Sequence, residues 1–484
     1  MAVLDISHKR ARPALKQGAP AVLQGRVFTQ SVSGRFRRMK WQVMALCLAL
    51  YYLLPFLRWD RGAGQPDQAV LFDIERIRFH FFFVELWHTD LILLTGALVL
   101  ATLVLVLVNA LVGRAWCGFA CPQTVWSDLF MLVERRIEGD RRARLRNQGA
   151  PLTAPLLLRR SLKHGAWILI AMATGGAFVF YFTDARALLP ALVTGQASLT
   201  AYIAVATLTA TTYVLAGHAR EQVCTWMCPW PRLQGAIWDP EALTVNYRDY
   251  RGETRASVKK AQQLREAGGA PGDCIDCNQC VAVCPMGIDI REGPNFACIN
   301  CGLCVDACDG VMAKVARPRG LIDFDSWRNI ERGRRGEAPR RALVRPTTIA
   351  LTIAALVLSG LMIGSIATRA DYQLFVSRDA NPIAVRLSDG RWRNAYTVRV
   401  TNLTLEERAV TLGVSGFPGA EVALAGGAAV IDEPILLAPG QRREVRMLIS
   451  GETAQRHELA ITATDMDTGA VAATRDYFVI PGAD

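Results

Sequence analysis

The sequence predicts a mixed, multi-domain integral membrane protein. It has a five-helix transmembrane bundle, a cysteine-rich module between the fourth and fifth helices, and a C-terminal immunoglobulin-like β-sandwich. Three observations predict it. Apolar blocks stand at 41–57, 91–112, 162–182, 197–217 and 347–367, each near or above the roughly 17–25 residues of a bilayer span. Eight of the thirteen cysteines fall within 274–308. Past 369 cysteine disappears, and apolar and polar residues alternate at the period of a strand.

The totals exclude several classes. A chain of 484 residues with 51% hydrophobic residues has room for several domains. The net charge of +12 belongs to cytoplasmic loops in a membrane protein, and no interleaving of basic and aromatic residues marks a nucleic-acid face. Twelve cysteines lie in spaced motifs and only Cys47 stands apart. That is metal or redox usage in a reducing compartment rather than secretory cross-linking.

Residues 1–40 form a basic arm. Lys9, Arg10, Arg12, Lys16, Arg26, Arg35, Arg37, Arg38 and Lys40 face one acid, Asp5. The arm is expected to lack regular structure, with Arg35 to Lys40 at the lipid headgroups. No small-residue cleavage site follows the first apolar block, so a signal peptide is not expected.

Residues 41–217 hold spans one to four. Trp41, Tyr51 and Tyr52 suit membrane interfaces, and the Gly, Ala, Ser and Thr content of the third and fourth spans suits close helix packing. The loop 113–161 is strongly basic, whereas 58–82 and 183–196 are near neutral. By the positive-inside rule the N-terminus and the segment 218–345 are cytoplasmic, and 369–484 is exported to the periplasm.

Just past the second and fourth spans one motif occurs twice: Cys117-Gly-Phe-Ala-Cys121-Pro122 and Cys224-Thr-Trp-Met-Cys228-Pro229. On a helix, positions i and i+4 share a face, close enough to share a metal. Soft thiolates select Cu(I), zinc or iron–sulfur centres, and packing cysteines at a crowded junction are the plainer alternative. His164 and His218 fall near the same span ends; the residues leave open whether they join a metal site or are ordinary surface histidines.

The segment 218–345 contains the densest motif, at about 265–320. Cys274-x-x-Cys277-x-x-Cys280-x-x-x-Cys284-Pro285 is followed by Cys298-x-x-Cys301-x-x-Cys304-x-x-x-Cys308. This is the spacing of a bacterial-type 2[4Fe-4S] ferredoxin domain, in which the fourth cysteine of each run ligates the other run's cluster. The expected sets are Cys274, Cys277, Cys280 and Cys308, and Cys298, Cys301, Cys304 and Cys284. Zinc pairs are separated by longer loops and do not fit the tripled spacing. The segment 346–368 is the fifth span.

In 369–484 the runs 396–401, 409–414, 443–449 and 458–464 read as strands, separated by Gly, Pro and Asp clusters. This is the pattern of an immunoglobulin-like sandwich, with no convergent catalytic residues.

The stretches Gly34-Arg-Phe-Arg-Arg-Met-Lys-Trp41, Tyr51-Tyr-Leu-Leu-Pro-Phe-Leu-Arg-Trp59 and Gln68-Ala-Val-Leu-Phe-Asp73 carry a family likeness. So do Gly113-Arg-Ala-Trp-Cys-Gly-Phe-Ala-Cys-Pro-Gln-Thr-Val-Trp126, Arg220-Glu-Gln-Val-Cys-Thr-Trp-Met-Cys-Pro-Trp230 and Pro318-Arg-Gly-Leu-Ile322. Over nearly its full length the chain resembles the CcoG (FixG/RdxA) family of cytochrome c oxidase accessory proteins. Asp309, where a simple ferredoxin has a second proline, is usual in that family. The resemblance implies a bacterial inner-membrane protein acting in assembly of cbb3-type cytochrome oxidase as a cupric reductase. Cys117, Cys121, Cys224 and Cys228 would handle copper and the ferredoxin cysteines would supply electrons. The expected partners are membrane lipid, oxidase subunits or copper chaperones and transporters, a cytoplasmic electron donor, and a second copy of the chain as a homodimer. Three alternatives stay open: a quinol-linked respiratory role, a copper-binding scaffold with redox-sensing clusters, and a third cluster on the four membrane cysteines.

Overall fold

The computed structural model describes residues 27–61, 65–75, 77–87, 90–340, 342–404, 406–425, 433–453 and 455–480. The arm cations Lys9, Arg10, Arg12, Lys16 and Arg26 lie outside the described residues. The chain divides into two units, one comprising residues up to 60 and 66–360, the other 61–65 and 361–484.

Among the described residues five helices are long and apolar enough to cross a membrane: Arg35–Phe56, Ile92–Val112, Ala154–Val179, Leu199–Ala219 and Pro346–Ala367. Two begin earlier than the apolar pattern indicates. The first helix takes in Arg35 to Lys40, which the sequence assigns to an irregular arm. Arg37 and Lys40 are buried against Asp128, at 3.0 and 3.9 Å. Burial works against the Asp128 carboxylate, but Lys40 and Arg37 outweigh it and hold its pKa below the usual value. The third helix likewise begins at Ala154 and carries Lys163, paired with Glu138 at 2.7 Å. Charge neutralised inside the protein lets a helix extend beyond its apolar stretch.

The Tyr51 and Tyr52 hydroxyls both bond Thr174 of the third span at 2.8 Å, so they pack helix against helix. Third and fourth spans approach closely at Gly175, where a Cβ would stand 2.9 Å from the Val205 carbonyl oxygen. That is the small-residue contact expected of membrane helices. The loop after the first span, which shows no strong strand pattern, forms a three-stranded antiparallel sheet of Val70–Asp73, Arg78–Phe81 and Val84–Leu86. Gln68 ties it to the bundle through the Phe180 carbonyl and the Ala185 N–H.

The second unit contains a β-sandwich. One sheet orders Glu421–Leu424, Arg442–Gly451, Trp392–Asn402 and Tyr372–Arg378, with Val385–Arg386 beside Trp392–Asn402; the other orders Ile435–Leu437, Arg408–Ser415, His457–Asp465 and Val471–Phe478. All four runs read from alternation are strands. Tyr396, Val398, Val400, Met447 and Ile449 meet Val410, Leu412, Leu459 and Ile461 in one core, because a two-residue period sends alternate side chains to one face.

Asp465 links the two sheets. Its carboxylate accepts from the Tyr372 hydroxyl and from the Asp467 and Thr468 N–H groups at 2.6 and 2.9 Å. Burial raises its pKa, but these donors outweigh that and hold it at about 2. A depressed carboxylate pKa contributes stability that is complete above the unfolded value of about 3.9 and is lost as pH falls through the folded value. The sandwich's melting temperature is therefore expected to drop between about pH 4 and 2. In Asp465→Asn the melting temperature is expected to be lower at neutral pH and flatter across that window, as read by thermal unfolding.

Candidate functional site

The cysteine-rich module is closed by two short strands. Thr244–Tyr247, before the first cysteine, pairs antiparallel with Ile322–Asp325, after the last. Between them the chain turns sharply at Asp276, Asn278, Asn300 and Gly302, all at positive φ. Gly, Asn and Asp reach that region at least cost, and each bend brings a cysteine back towards its neighbours. Cys274, Cys277, Cys280 and Cys308 line one cavity of about 340 Å³. Cys284, Cys298, Cys301 and Cys304 line a second of about 360 Å³, to which Cys280 also contributes. The first cavity thus draws three cysteines from the first run and Cys308 from the second, and the second draws three from the second run with Cys284 and Cys280 from the first. Apolar Ile288, Ile290 and Met286 wall the second, and Val311, Met312 and Leu321 the first.

Burial pushes the Cys308 and Cys284 thiols up to about 12 and the Cys298 thiol to about 11. Such thiols keep their protons unless a metal replaces them. Four sulfurs around an apolar cavity are the donor set of a cubane, so the residues present fit two iron–sulfur clusters. Among the described residues, no three His, Cys, Asp or Glu side chains close on one point tightly enough for a single ion. A cubane is wider than an ion and takes its thiolates from around a cavity.

The module is clamped to the bundle. Asp306 accepts from the N–H groups of Phe36 and Arg37 at 3.1 and 2.7 Å, so a residue 270 positions away caps the first span. Those N–H groups have no partner within the helix. A second contact lies at Gly118, inside the first membrane cysteine pair. A Cβ there would stand 2.5 Å from the Ile299 carbonyl oxygen, so the pair lies directly on the backbone between Cys298 and Cys301.

The two membrane pairs are built alike, though neither lies on one continuous helix. Cys117 is in the short helix Ala115–Phe119, and Cys121 caps the helix Pro122–Glu138 with extended backbone, φ −58° and ψ 129°. Cys224 is in the π-helical turn Val223–Met227, and Cys228 ends it at φ −79° and ψ 123°. The proline after each second cysteine disfavours the helical conformation for the residue before it. The i, i+4 helical geometry expected from spacing is therefore replaced by a bend in both motifs.

That bend brings the pairs together. Burial pushes the Cys117 thiol up to about 11, Cys121 adds to the rise, and Arg114 opposes it. Cys224 rises to about 12 through burial and then the charges of Cys121, Cys117 and Cys228. The four sulfurs are thus near enough to repel one another as thiolates. Cys117 and Cys224 also pack on the apolar core that holds Cys284, Cys298 and Cys304. Gln234, itself buried, sets its side-chain oxygen 3.8 Å from the Cys117 sulfur.

His164 and His218 stack on each other with ring centroids 5.9 Å apart, and the Tyr213 hydroxyl meets His164 Nδ1 at 2.9 Å. They share an aromatic cluster with Trp167. Sequence reading missed Arg114, Gly118 and Asp306. Its available signal was a basic residue shortly before each pair, Arg114 before Cys117 and Arg220 before Cys224.

Three domain families match this chain: "4Fe-4S dicluster domain" over 219–327, "4Fe-4S binding domain" over 94–138, and "IG-like fold at C-terminal of FixG" over 362–481. The nitrogen fixation protein FixG of Rhizobium meliloti is 46% identical over 430 residues, covering 83% of this chain and 82% of the relative. The chain belongs to the FixG/RdxA family. Protein RdxA of Cereibacter sphaeroides is 46% identical over 84% of this chain and 86% of its own length. RdxB of the same organism is 46% identical over 84% and 85%. This FixG-family chain is an iron–sulfur membrane protein of electron transfer, with an immunoglobulin-like domain at its C-terminus. The match over 94–138 contains Cys117 and Cys121, and that over 219–327 contains Cys224, Cys228 and the eight ferredoxin cysteines.

Proposed function

We propose that the protein passes single electrons from two ferredoxin-type clusters to Cys117, Cys121, Cys224 and Cys228. There Cu(II) is reduced to Cu(I) for the copper centre of a cbb3-type cytochrome oxidase. One observation carries the reading: Cys117 and Cys224 pack on the same apolar core as Cys284, Cys298 and Cys304. Bound iron–sulfur clusters supply one-electron chemistry. Thiolates are soft ligands that hold Cu(I) better than Cu(II), so binding itself favours the reduced metal. Each copper ion takes up one electron, replaced by a low-potential one-electron donor on the cytoplasmic side. The basic excess of the arm and of loop 113–161 supports a cytoplasmic N-terminus and cluster module and an exported sandwich. The product passes to a copper chaperone or an oxidase subunit.

The test uses the detergent-solubilised chain, chemically reduced and then freed of reductant. It is expected to convert Cu(II) to Cu(I), and replacement of all four membrane cysteines by alanine is expected to abolish the conversion with both ferredoxin clusters intact. Undiminished copper reduction in that variant rejects the site, and quinol oxidation would move the protein to respiration. The 4Fe-4S binding domain match over 94–138 favours a second reading, in which the four cysteines hold a third cluster. Iron analysis separates the two, at about eight irons per chain for two clusters and about twelve for three.

A further inference from the structure

Arg114 lies where the four membrane cysteines meet the second ferredoxin cavity. One of its terminal nitrogens donates to the Phe296 carbonyl and lies 3.4 Å from the Cys298 carbonyl. The other donates to the Pro231 carbonyl at 2.6 Å. Cys298 lines the second cavity, and Pro231 follows Cys228 by three residues. One side chain therefore ties the first membrane pair, which it precedes, to the second pair and to the second ferredoxin run.

The charge it carries is handled differently from that of other buried arginines. Arg37, Arg144 and Arg220 are neutralised by Asp128 and Glu134, whereas the bonds of Arg114 run to backbone carbonyls. Its guanidinium lies 3.4 Å from the Cys298 carbonyl oxygen, so the charge stands beside a cysteine of the second centre. An arginine keeps its proton at any working pH. A fixed positive charge beside an iron–sulfur centre favours the reduced state, which is the more negative one. Net charge and hydrogen bonding are among the terms that set such potentials.

The two ferredoxin centres also differ in access. Cys277 of the first is exposed, while Cys298, Cys301 and Cys304 of the second are buried or half-buried beneath the membrane pairs.

We infer that Arg114 is a positioning residue that makes the second centre (Cys284, Cys298, Cys301, Cys304) the exit point for electrons. Its charge raises that centre's reduction potential, and its forked donors hold that centre against the membrane cysteines. An electron enters at the first centre from a low-potential one-electron donor and is collected at the second. It then leaves to the acceptor at the four-cysteine site: the second centre is oxidised by one electron as the acceptor is reduced by one. The direction of exit rests on the function proposed above; the effect on potential does not.

The experiment is a redox titration of the full-length chain in detergent, followed by electron paramagnetic resonance with no copper added. In Arg114→Gln the reduction equilibrium of the second centre is expected to fall at least tenfold, which for a one-electron couple is about 59 mV. The first centre should be unchanged. The same substitution in a Cys308→Ser background identifies which centre moved. Arg114→Lys keeps the charge, so both potentials should stay at their wild-type values. Unchanged potentials in Arg114→Gln, equal shifts of both centres, or the same shift in Arg114→Lys would each overturn the inference. So would loss of both centres in Arg114→Gln with retention in Arg114→Lys, since that outcome makes the role structural. Because no copper enters the titration, a failed copper assay leaves this result standing.

Discussion

Replacing Cys308 by serine is expected to empty the cluster site of the first cysteine run, not that of its own. Cys308 ends the second run, yet it lines the cavity shared by Cys274, Cys277 and Cys280. The helix Leu303–Lys314 carries Cys304 near its start, one turn before Cys308. These two cysteines line different cavities, Cys304 the second and Cys308 the first. Iron should fall from about eight to about four atoms per chain, because one cubane is lost and one remains. Cys284→Ser should do the same for the other centre. Double variants decide the pairing. Cys277→Ser added to Cys308→Ser should remove no further iron, whereas Cys301→Ser added to Cys308→Ser should remove nearly all of it. The opposite pattern would mean that each run holds its own cluster, and the crossed assignment would be wrong.

The second large effect is expected at Glu134. Its carboxylate meets Arg144 at 3.0 Å and Arg220 at 2.9 Å, with all three side chains nearly inaccessible. Removing one partner of a buried ion pair leaves charge without compensation and costs about 3–5 kcal/mol. Glu134→Ala should therefore lower the thermal unfolding temperature steeply. The damage should also reach the second cysteine pair. Arg220 has φ 36°, donates to the Gly217 carbonyl at 2.9 Å and lies over the Trp167 ring, immediately before the turn that carries Cys224. Faster alkylation of Cys224 in Glu134→Ala, with cluster iron retained, would show that route. On the sandwich surface, Glu458→Ala breaks the exposed pair with Arg475 and should change stability by about 1 kcal/mol or less. Equal effects at the two positions would contradict the assignment of Glu134 to a buried network.

What could be read from the sequence depended on the range of the interaction that fixes each feature. The spans and sandwich strands are local patterns of apolar residues. A solvent of lipid demands a continuous apolar run and a half-buried sheet a two-residue period wherever they occur, so 91–112 and 458–464 are legible on sight. The ferredoxin spacing is local as well, since three thiols on one loop must reach one cluster. The first helix was misjudged at its start for the opposite reason. Arg35 to Lys40 look like an irregular basic arm until Asp306 is seen to cap the helix and Asp128 to neutralise Arg37 and Lys40. The role of Tyr51 and Tyr52 in helix packing is equally invisible in the sequence, because their partner, Thr174, lies more than a hundred residues away.

The donor chemistry is legible along the chain: eight thiols at ferredoxin spacing, two Cys-x-x-x-Cys-Pro pairs, five spans and a β-sandwich. That the pairs and the second ferredoxin run form one neighbourhood is visible only in three dimensions. Glycine at 118 allows backbone to lie on backbone, proline after Cys121 and Cys228 bends both motifs, and the fork of Arg114 spans the gap. None of these contacts is periodic in the chain. Each depends on two distant segments meeting within hydrogen-bond or van der Waals range, which spacing along one strand of sequence does not encode.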